Sequence, residues 1–210
     1  KTYERLSSDY VSVNSAKGFI KGGGIIEHAK IHRNKKIILS FDIKDFFPSI
    51  TFARVMGMFK AEPFNFAEDW AIGFAQICCL NHNGPIPQGA ITSPYISNML
   101  CRKLDSRLRK LAIAQKMHYS RYADDLTFSS NKYINIEQVK EWVESVVQDE
   151  GFELNQAKTR VMKKHHRQVV TGIIVNNGLN VNRKYINNTR ALIHNCMRDG
   201  MLKHLIKNKD

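Results

Sequence analysis

The sequence predicts an α+β domain in which short strands pair as hairpins and pack against helices. Residues 37–41 form a mostly apolar run that ends at Asp42, which is typical of a buried strand. Tyr122-Ala123-Asp124-Asp125 lies between strand-forming residues and predicts the tip of a β-hairpin. Helical periodicities flank both segments. Because strands and helices do not alternate strictly, a mixed α+β arrangement is favoured over repeated βαβ units.

Elements before the hairpin are predicted to be mainly helical. Residues 25–33 are helical in pattern, residues 45–60 form a turn that leads into a helix, and residues 66–80 form another helix. The apolar stripe of this last helix is expected to be its buried face; it comprises Phe66, Trp70, Phe74 and Ile77. Asn81-His82-Asn83-Gly84, followed by Pro85 and Pro87, predicts a loop.

The second half of the chain continues with helices and one further strand. Thr92 or Ser93 before Pro94 is a favourable helix start. Two apolar stripes with helical spacing follow. They comprise Ile96, Leu100, Leu104, Leu108 and Leu111, and then Val139, Trp142, Val143, Val146 and Val147. Gly151 predicts the end of the second helix. Residues 169–175 are predicted as one strand and residues 185–201 as a helix.

Composition favours a nucleic-acid partner. The chain has 210 residues with 32 Lys and Arg against 19 Asp and Glu, a net charge of +13. Such an excess is typical of a channel for nucleic acid, although it also serves solubility. No apolar run is long enough for a membrane span, and the start of the sequence lacks a secretory signal, so a cytoplasmic protein is expected. The four cysteines lack metal or disulfide spacing.

Three aspartates carry the predicted chemistry. If the strand that ends at Asp42 pairs beside the hairpin, its carboxylate meets those of Asp124 and Asp125. Such a cluster is self-repulsive without cations. Carboxylate oxygens suit Mg²⁺, and a pair of such ions supports phosphoryl transfer. A lone Asp-Asp pair, by contrast, is most often an ordinary solvated turn.

Five motifs occur in the order of reverse transcriptase motifs A to E, which the chain therefore resembles. They are Phe41-Asp42-Ile43-Lys44-Asp45-Phe46-Phe47-Pro48-Ser49-Ile50, Pro87-Gln88-Gly89-Ala90-Ile91-Thr92-Ser93-Pro94, Tyr122-Ala123-Asp124-Asp125, residues 151–158 and Val170-Thr171-Gly172. Within the superfamily the chain looks most like bacterial retron reverse transcriptases. The details that carry this are Ser15-Ala16-Lys17-Gly18-Phe19, Tyr95-Ile96-Ser97-Asn98 after Thr92-Ser93-Pro94, and residues 170–176.

The resemblance implies the palm of a right-hand polymerase, an antiparallel sheet backed by helices, with part of the fingers and with the thumb largely absent. Residues 1–36 would be partial fingers, 37–176 the palm with finger elements, and 177–210 the start of the thumb or connection. Few residues follow motif E, so the sequence is expected to be part of a longer protein.

The resemblance also implies roles for individual residues. The catalytic residues would be Asp42, Asp124, Asp125 and Lys158; the metal ligands Asp42, Ile43 through its main-chain carbonyl, Asp124 and Asp125. The nucleotide would be bound by Ile43, Phe46, Phe47, Gln88 and Gly89, and primer and template by Thr171, Gly172, Lys17 and Lys21. Phe47 falls at the aromatic gate that excludes a 2′-OH, and one of the two adjacent phenylalanines is expected to belong to the core.

The implied cofactor is Mg²⁺, as two ions, with Mn²⁺ as a substitute. The implied partners are a structured non-coding RNA as template and primer, dNTPs, the nascent DNA and a retron effector protein in an anti-phage defence system; no membrane partner is implied.

Two positions depart from the family pattern. Lys17 stands where histidine is frequent, and Gly23-Gly24 where Arg-Ser is frequent.

Other assignments stay open at the level of sequence. A group II intron-type or another bacterial reverse transcriptase shares this chemistry, although the surroundings of Ser93-Pro94 and the lack of a visible maturase extension argue against the intron type. A non-catalytic RNA-binding module of the same fold is disfavoured by the three intact aspartates. A viral RNA-dependent RNA polymerase typically has glycine at the position of Ala123.

Overall fold

The computed structural model describes residues 15–200 and confirms the predicted α+β class. The outermost parts of the predicted finger and thumb segments, residues 1–14 and 201–210, lie outside the described residues. The helices are α1 (Ile25–Ile31), α2 (Phe52–Lys60), α3 (Glu68–Cys78), α4 (Ser93–Leu100), α5 (Arg102–Ala114), α6 (Ile136–Asp149) and α7 (Arg183–Asp199). In the part of the chain described, no helix is both long and apolar enough to cross a membrane.

The strands form a four-stranded antiparallel sheet and a small hairpin. They are β1 (Ile37–Asp42), β2 (His118–Tyr122), β3 (Asp125–Ser130), β4 (Arg160–Lys163), β5 (Val169–Val170) and β6 (Ile173–Ile174). The order in the sheet is β2-β3-β1-β4, so the first strand in the chain lies between the hairpin and a late strand. This order places both ends of β1 beside residues that are distant in sequence.

Burial on both faces explains why β1 is apolar. Leu39 and Phe41 face the main core, where the ring of Phe41 meets that of Phe128 edge-on at 5.8 Å. Ile38 points the other way into a smaller cluster with Ala29 of α1 and residues of the β5–β6 hairpin. A strand covered on both faces lacks the polar alternation of a half-exposed strand.

The buried face of α3 differs from the sequence prediction. Trp70 and Ile77 are 69% and 75% exposed, so their assignment to the buried face is wrong. Small residues are buried instead, namely Ala71, Ala75 and Cys78. They let α3 pack closely against α2, while the ring of Phe74 contacts that of Phe59 at 5.7 Å. Helix periodicity alone cannot tell which of two overlapping stripes faces the core.

Two further segments are interrupted where the sequence predicted continuity. The stripe that begins at Ile96 is divided between α4 and α5, which meet at the buried Cys101. The single strand predicted over residues 169–175 is wrong: it is a hairpin that turns at Thr171 and Gly172. Both turn residues have positive φ angles, 44° and 82°, which suit a tight two-residue β-turn.

Candidate active site

The pairing register brings the three aspartates together. Asp42 ends β1 directly opposite Asp125, the first residue of β3. Asp124 lies in the turn between β2 and β3, where Ala123 has a φ of 54°. The backbone N–H of Ile43 donates to the Asp124 carbonyl at 3.0 Å and ties the two chain segments together. The strand therefore pairs beside the hairpin as the sequence predicted.

Burial, together with the proximity of the acids, raises the pKa values of two of them. Burial, followed by the charge of Asp124, raises the pKa of Asp125 to about 6, although the Ser40 hydroxyl opposes this by donating to its carboxylate at 3.3 Å. Burial and the neighbouring Asp42 also raise the pKa of Asp124. Part of each shift comes from the neighbouring carboxylates, and a cation beside them would oppose that part.

Lys158 supplies one such cation. It lies in the short 3₁₀ turn Gln156–Lys158, and its Nζ is 3.0 Å from Asp42 Oδ1. This contact raises the pKa of the Lys158 ammonium group. The side chain remains 57% exposed, so the ammonium group also reaches the open side of the site.

The aspartate cluster fits magnesium by its chemistry. It offers hard carboxylate oxygens from three residues that the strand register brings together. Within residues 15–200, no group of three or more His, Cys, Asp or Glu side chains is already arranged around an ion position.

A cleft of about 190 Å³ opens beside Asp124. Its lining consists of Ile43, Asp45, Phe46, Phe47, Pro48, Gln88, Asp124 and Lys158. Phe46 is only 5% exposed and packs against Phe152 at 5.9 Å, whereas Phe47 is half-buried. Of the two adjacent rings, Phe46 thus belongs mainly to the core and Phe47 to the cleft.

Gln88 and Gly89 lie in an exposed loop at the edge of this cleft. Gly89 has a φ of 90°, a backbone conformation that other residues rarely adopt, while a Cβ atom there would meet no protein atom within 4 Å. Backbone conformation rather than crowding by protein atoms therefore requires glycine at this position.

A second cleft, of about 170 Å³, connects the aspartates with the β5–β6 hairpin. Its lining consists of Ser40, Asp42, Asp125, Lys158, Arg160, Val169, Thr171 and Gly172. Thr171 and Gly172 thus share this cleft with Asp42 and Asp125. Lys17 is half-buried and its backbone N–H donates to the Arg121 carbonyl at 2.7 Å, while the exposed Lys21 lines neither cleft.

A buried ionic network that the sequence analysis missed supports the turn that carries Asp124. The Arg121 guanidinium group donates to both carboxylate oxygens of Asp105, at 2.9 and 2.7 Å, and to the Ala123 carbonyl at 3.1 Å. Tyr119 donates its hydroxyl to Asp105 at 2.7 Å. Arg121 and Asp105 are fully buried. The sequence contained one sign of this network: the acidic residue Asp105 follows Leu104 on the apolar side of α5.

Residues 15–19 pack against the same turn. The backbone of Ser15 and Lys17 pairs with Arg121, and a Cβ atom on Gly18 would lie 2.9 Å from the Ala123 nitrogen. Phe19 follows with a φ of 60°, and its ring lies 6.4 Å from that of Phe47 and 6.3 Å from that of Tyr122. This segment therefore contributes an aromatic side chain beside the cleft that Phe47 lines.

An antiparallel sheet that gathers three aspartates where two neighbouring strands meet, backed by helices and flanked by such clefts, defines a polymerase palm. The chain belongs to the reverse transcriptase (RNA-dependent DNA polymerase) family, whose model matches residues 2–175. The sequence-based recognition of this family is confirmed.

Within this family, the chain is similar in sequence to retron reverse transcriptases. The retron Mx65 reverse transcriptase of Myxococcus xanthus is 37% identical over 195 residues, which cover 85% of this chain and 45% of that protein. The retron Ec86 reverse transcriptase of Escherichia coli is 31% identical over 205 residues, or 96% and 62% of the two chains. This chain thus spans about half to three-fifths of the length of these relatives.

Solved structures agree on the fold. A telomerase from Candida albicans, determined with a TWJ fragment of telomeric RNA, superposes with a TM-score of 0.59 at 11% identity and covers 86% of this chain and 38% of that one. At this identity the likeness concerns the fold alone, and it confirms the predicted palm architecture.

Proposed function

We propose that this chain is the palm, with part of the fingers, of a retron-type RNA-directed DNA polymerase that copies a structured non-coding RNA. The single observation that carries the proposal is the register of Asp42 against Asp125. It gathers three carboxylates, with Lys158 beside them, at the junction of the cleft that Phe47 lines and a second cleft that reaches the β5–β6 hairpin.

In the proposed reaction the 3′-oxygen of the growing DNA forms a bond with the α-phosphorus of a dNTP. The bond between the α- and β-phosphates breaks, and pyrophosphate leaves. Asp42, Asp124, Asp125 and the main-chain carbonyl of Ile43 would hold two Mg²⁺ ions, for which Mn²⁺ can substitute. When bound, these ions would neutralise charge on the attacking and leaving oxygens.

Lys158 would donate a proton to the departing pyrophosphate or neutralise it. Its ammonium group has a raised pKa and therefore carries its proton at neutral pH. In the structure its Nζ pairs with the Asp42 carboxylate, and it would face the nucleotide once Asp42 serves as a metal ligand. The Lys158 side chain would thus balance the charge of Asp42 before the nucleotide binds and would assist the departure of pyrophosphate afterwards.

The remaining site residues would position the substrates. Phe47 would exclude a 2′-OH, with Phe46 beneath it as support, while Gln88 and Gly89 would lie under the new base pair. Thr171 and Gly172, at the tip of the β5–β6 hairpin, would hold the primer end. Lys17 and Lys21 would contact template phosphates from the fingers side.

We assign residues 1–36 to partial fingers, 37–176 to the palm with finger elements, and 177–210 to the start of the thumb or connection. We further propose that the protein acts in the bacterial cytoplasm, where dNTPs are available, and that a retron effector protein accompanies it in anti-phage defence. The resemblance to retron reverse transcriptases supports these assignments.

Primer extension on an RNA template tests the proposal in the full-length protein. Asp42→Asn, Asp124→Asn and Asp125→Asn should each remove nearly all extension, and pairs of these changes should lower it little further, because the three residues act as a unit. Asp69→Asn, at an exposed position on α3, is the matched control. Near-normal extension by Asp42→Asn, or RNA binding without extension by the unaltered protein, would contradict the proposal.

A further inference from the structure

The two ends of the four-stranded sheet carry opposite charge. Asp42 and Asp125 lie at one end. At the other end, each strand has a lysine that is adjacent to it or two residues away from it in the sequence. These four residues, called the distal lysine row below, are Lys36 before β1, Lys116 before β2, Lys132 after β3 and Lys164 after β4.

Strand register places the four lysines at the same end. Ile37, the first residue of β1, pairs with Ser130 at the end of β3 and with Lys163 at the end of β4. Neighbouring strands lie about 4.8 Å apart, so four strand ends extend over about 15 Å. A strand rises about 3.3 Å per residue, which puts the row about 20 Å from the aspartates.

Hydrogen bonds to backbone groups of these lysines hold the segments of the row side by side. The N–H of Lys164 donates to the Lys36 carbonyl at 2.9 Å, and the N–H of Lys36 donates to the Asn131 side chain at 3.0 Å. The Ser130 hydroxyl donates to the Lys116 carbonyl at 3.2 Å. Their spacing is therefore fixed by the sheet rather than by flexible loops.

No carboxylate balances the row. Segments 33–36, 115–118, 131–134 and 163–168 together contain eight Lys and Arg and no Asp or Glu. The four lysines are exposed, and none forms an ion pair within residues 15–200. Other exposed lysines do have acidic partners: Lys30 with Glu27, Lys60 with Glu68, Lys103 with Glu150 and Lys140 with Glu137. The row thus attracts anions from outside the chain.

We propose that the distal lysine row binds the phosphate backbone of a double-stranded stem of the RNA, on a surface separate from the catalytic clefts. This inference rests on the proposed function, which supplies an RNA partner. A row about 15 Å long spans several phosphates, since those of one strand of a duplex succeed one another every 3–4 Å or so along its axis. A-form RNA is recognised mainly through its shape, its phosphates and its 2′-hydroxyls, which suits lysines without base-reading partners.

The surroundings favour RNA over a lipid surface. Binding to a membrane interface requires apolar side chains that enter the lipid. Met117 and Ile134, the aliphatic residues of these segments, are buried. Tyr133 is 98% exposed beside Lys132 and offers a ring on which an unpaired base next to the stem can stack.

Salt-dependent binding of an RNA hairpin to the full-length protein tests the inference. Replacing the four lysines of the row by Gln should reduce the slope of log K against log salt by about 3, since each lost phosphate contact removes about 0.7–0.9. Affinity at about 0.15 M salt should fall more than tenfold. Replacing the same lysines by Arg should preserve both values.

The matched control removes four positive charges elsewhere, with Lys30, Lys60, Lys103 and Lys140 replaced by Gln. It should keep a slope and an affinity closer to those of the unaltered protein. Equal losses of RNA affinity and salt slope in the two variants, or no such loss in the row variant, would overturn the inference. Retained RNA binding with lost binding to anionic phospholipid vesicles would also overturn it, in favour of a membrane surface.

Extension of a primer–template too short to reach the row separates this inference from the proposed function. The row variant should extend it at the unaltered rate, whereas a loss of extension there would place the lysines in the catalytic groove and overturn the inference. If the unaltered protein makes no DNA but the row variant still loses RNA affinity, the proposed polymerase function fails and the RNA surface stands.

Discussion

Arg121 connects the buried core to the catalytic turn. A buried arginine is tolerated only when its donors are satisfied, and here they reach Asp105 and the carbonyl of Ala123, the residue before Asp124. Burial and the adjacent Asp105 carboxylate raise the pKa of Tyr119, so its hydroxyl keeps its proton and donates to the same carboxylate. The turn that carries Asp124 is therefore held by a side chain that lines neither of the two clefts.

Replacing this network tests whether it positions Asp124. Arg121→Met alone should lower the free energy of unfolding by about 3–5 kcal/mol, because Asp105 is left as an unpaired buried charge. Adding Asp105→Leu and Tyr119→Phe should restore most of that stability, since an apolar replacement has no charge left to desolvate.

Extension by the triple variant is nevertheless expected to stay low, because the Ala123 carbonyl has lost its donor. Urea denaturation and primer extension on the same preparations separate the two effects. A stable triple variant that extends primers at the unaltered rate would show that the network serves folding alone.

Phe46 and Phe47 are adjacent but have different surroundings. Phe47→Ala should admit ribonucleotides, because it opens the cleft where the sugar would lie. Phe46→Ala should instead lower the free energy of unfolding by about 3–5 kcal/mol, as expected for a phenylalanine removed from a core. Incorporation of rNTPs and dNTPs by the two variants is the measurement. Unchanged discrimination by Phe47→Ala would move the gate to another residue, for which Phe19, whose ring lies 6.4 Å from that of Phe47, is a candidate.

At the level of elements, α1 packs two buried histidines against the sheet. His32 lies between the hydroxyl groups of Ser129 and Ser120, at 2.7 and 2.8 Å. The ring of His28 stacks on that of Tyr122 at 6.0 Å, and its nitrogens have no well-aligned hydrogen-bond partner. Burial lowers the pKa of His28 to about 4 and that of His32 well below its usual value. Both rings are therefore neutral in the folded protein near pH 7.

These lowered pKa values predict that acid weakens the packing of α1. The unfolded chain binds protons at these histidines below about pH 6.5, whereas the folded state does not until lower pH, so their stabilising contribution is present above about pH 6.5 and is lost as pH falls. Each histidine should contribute a slope of up to about 1.4 kcal/mol per pH unit.

The raised pKa of Asp125 has the opposite effect: between about pH 6 and pH 4 it increases the free energy of unfolding as the pH falls. The difference in the pH dependence of the free energy of unfolding between the unaltered protein and His28→Phe therefore isolates the contribution of His28. Urea denaturation at several pH values should give a shallower pH dependence for the variant, which keeps a ring against Tyr122. Equal pH dependence in both proteins would show that His28 is not buried as a neutral group.

The β5–β6 hairpin shows how a short element depends on its turn. Thr171 and Gly172 both adopt positive φ angles, and a β-branched residue rarely does so. Such strained positions often occur at functional sites. The turn brings this pair to the cleft that ends at Asp42 and Asp125, so the backbone conformation and the proposed primer contact occur at the same two residues.

At the scale of the whole molecule, the aspartate cluster should couple metal binding to stability. Mg²⁺ that binds only the folded state raises the free energy of unfolding by about 1.4 kcal/mol for each tenfold increase in concentration above Kd. Because protons compete for Asp125, whose pKa is about 6, this gain should be large near neutral pH and small near pH 5.

Thermal unfolding with Mg²⁺ or with EDTA at the two pH values measures this gain. Asp42→Asn should abolish it, whereas Asp69→Asn should leave it unchanged. Stabilisation that persists in Asp42→Asn would place the bound ion elsewhere on the protein.

The sequence by itself determined the family, the α+β class and the grouping of three aspartates. The apolar strand before Asp42 and the hairpin signal around Asp124-Asp125 are local patterns, and such patterns follow from the periods of strands and turns. The position of Lys158 beside the aspartates was expected from the order of motifs and is seen in its contact with Asp42.

Only the tertiary structure decided which side chains support those residues and which surfaces remain free. The pairing of Arg121 with Asp105, the exposure of Trp70 on α3 and the alignment of the distal lysine row all depend on contacts between distant segments. Periodicity identifies an apolar or charged face but does not say what lies opposite it. The core, the catalytic turn and the basic end of the sheet therefore required the strand order and register of the folded chain.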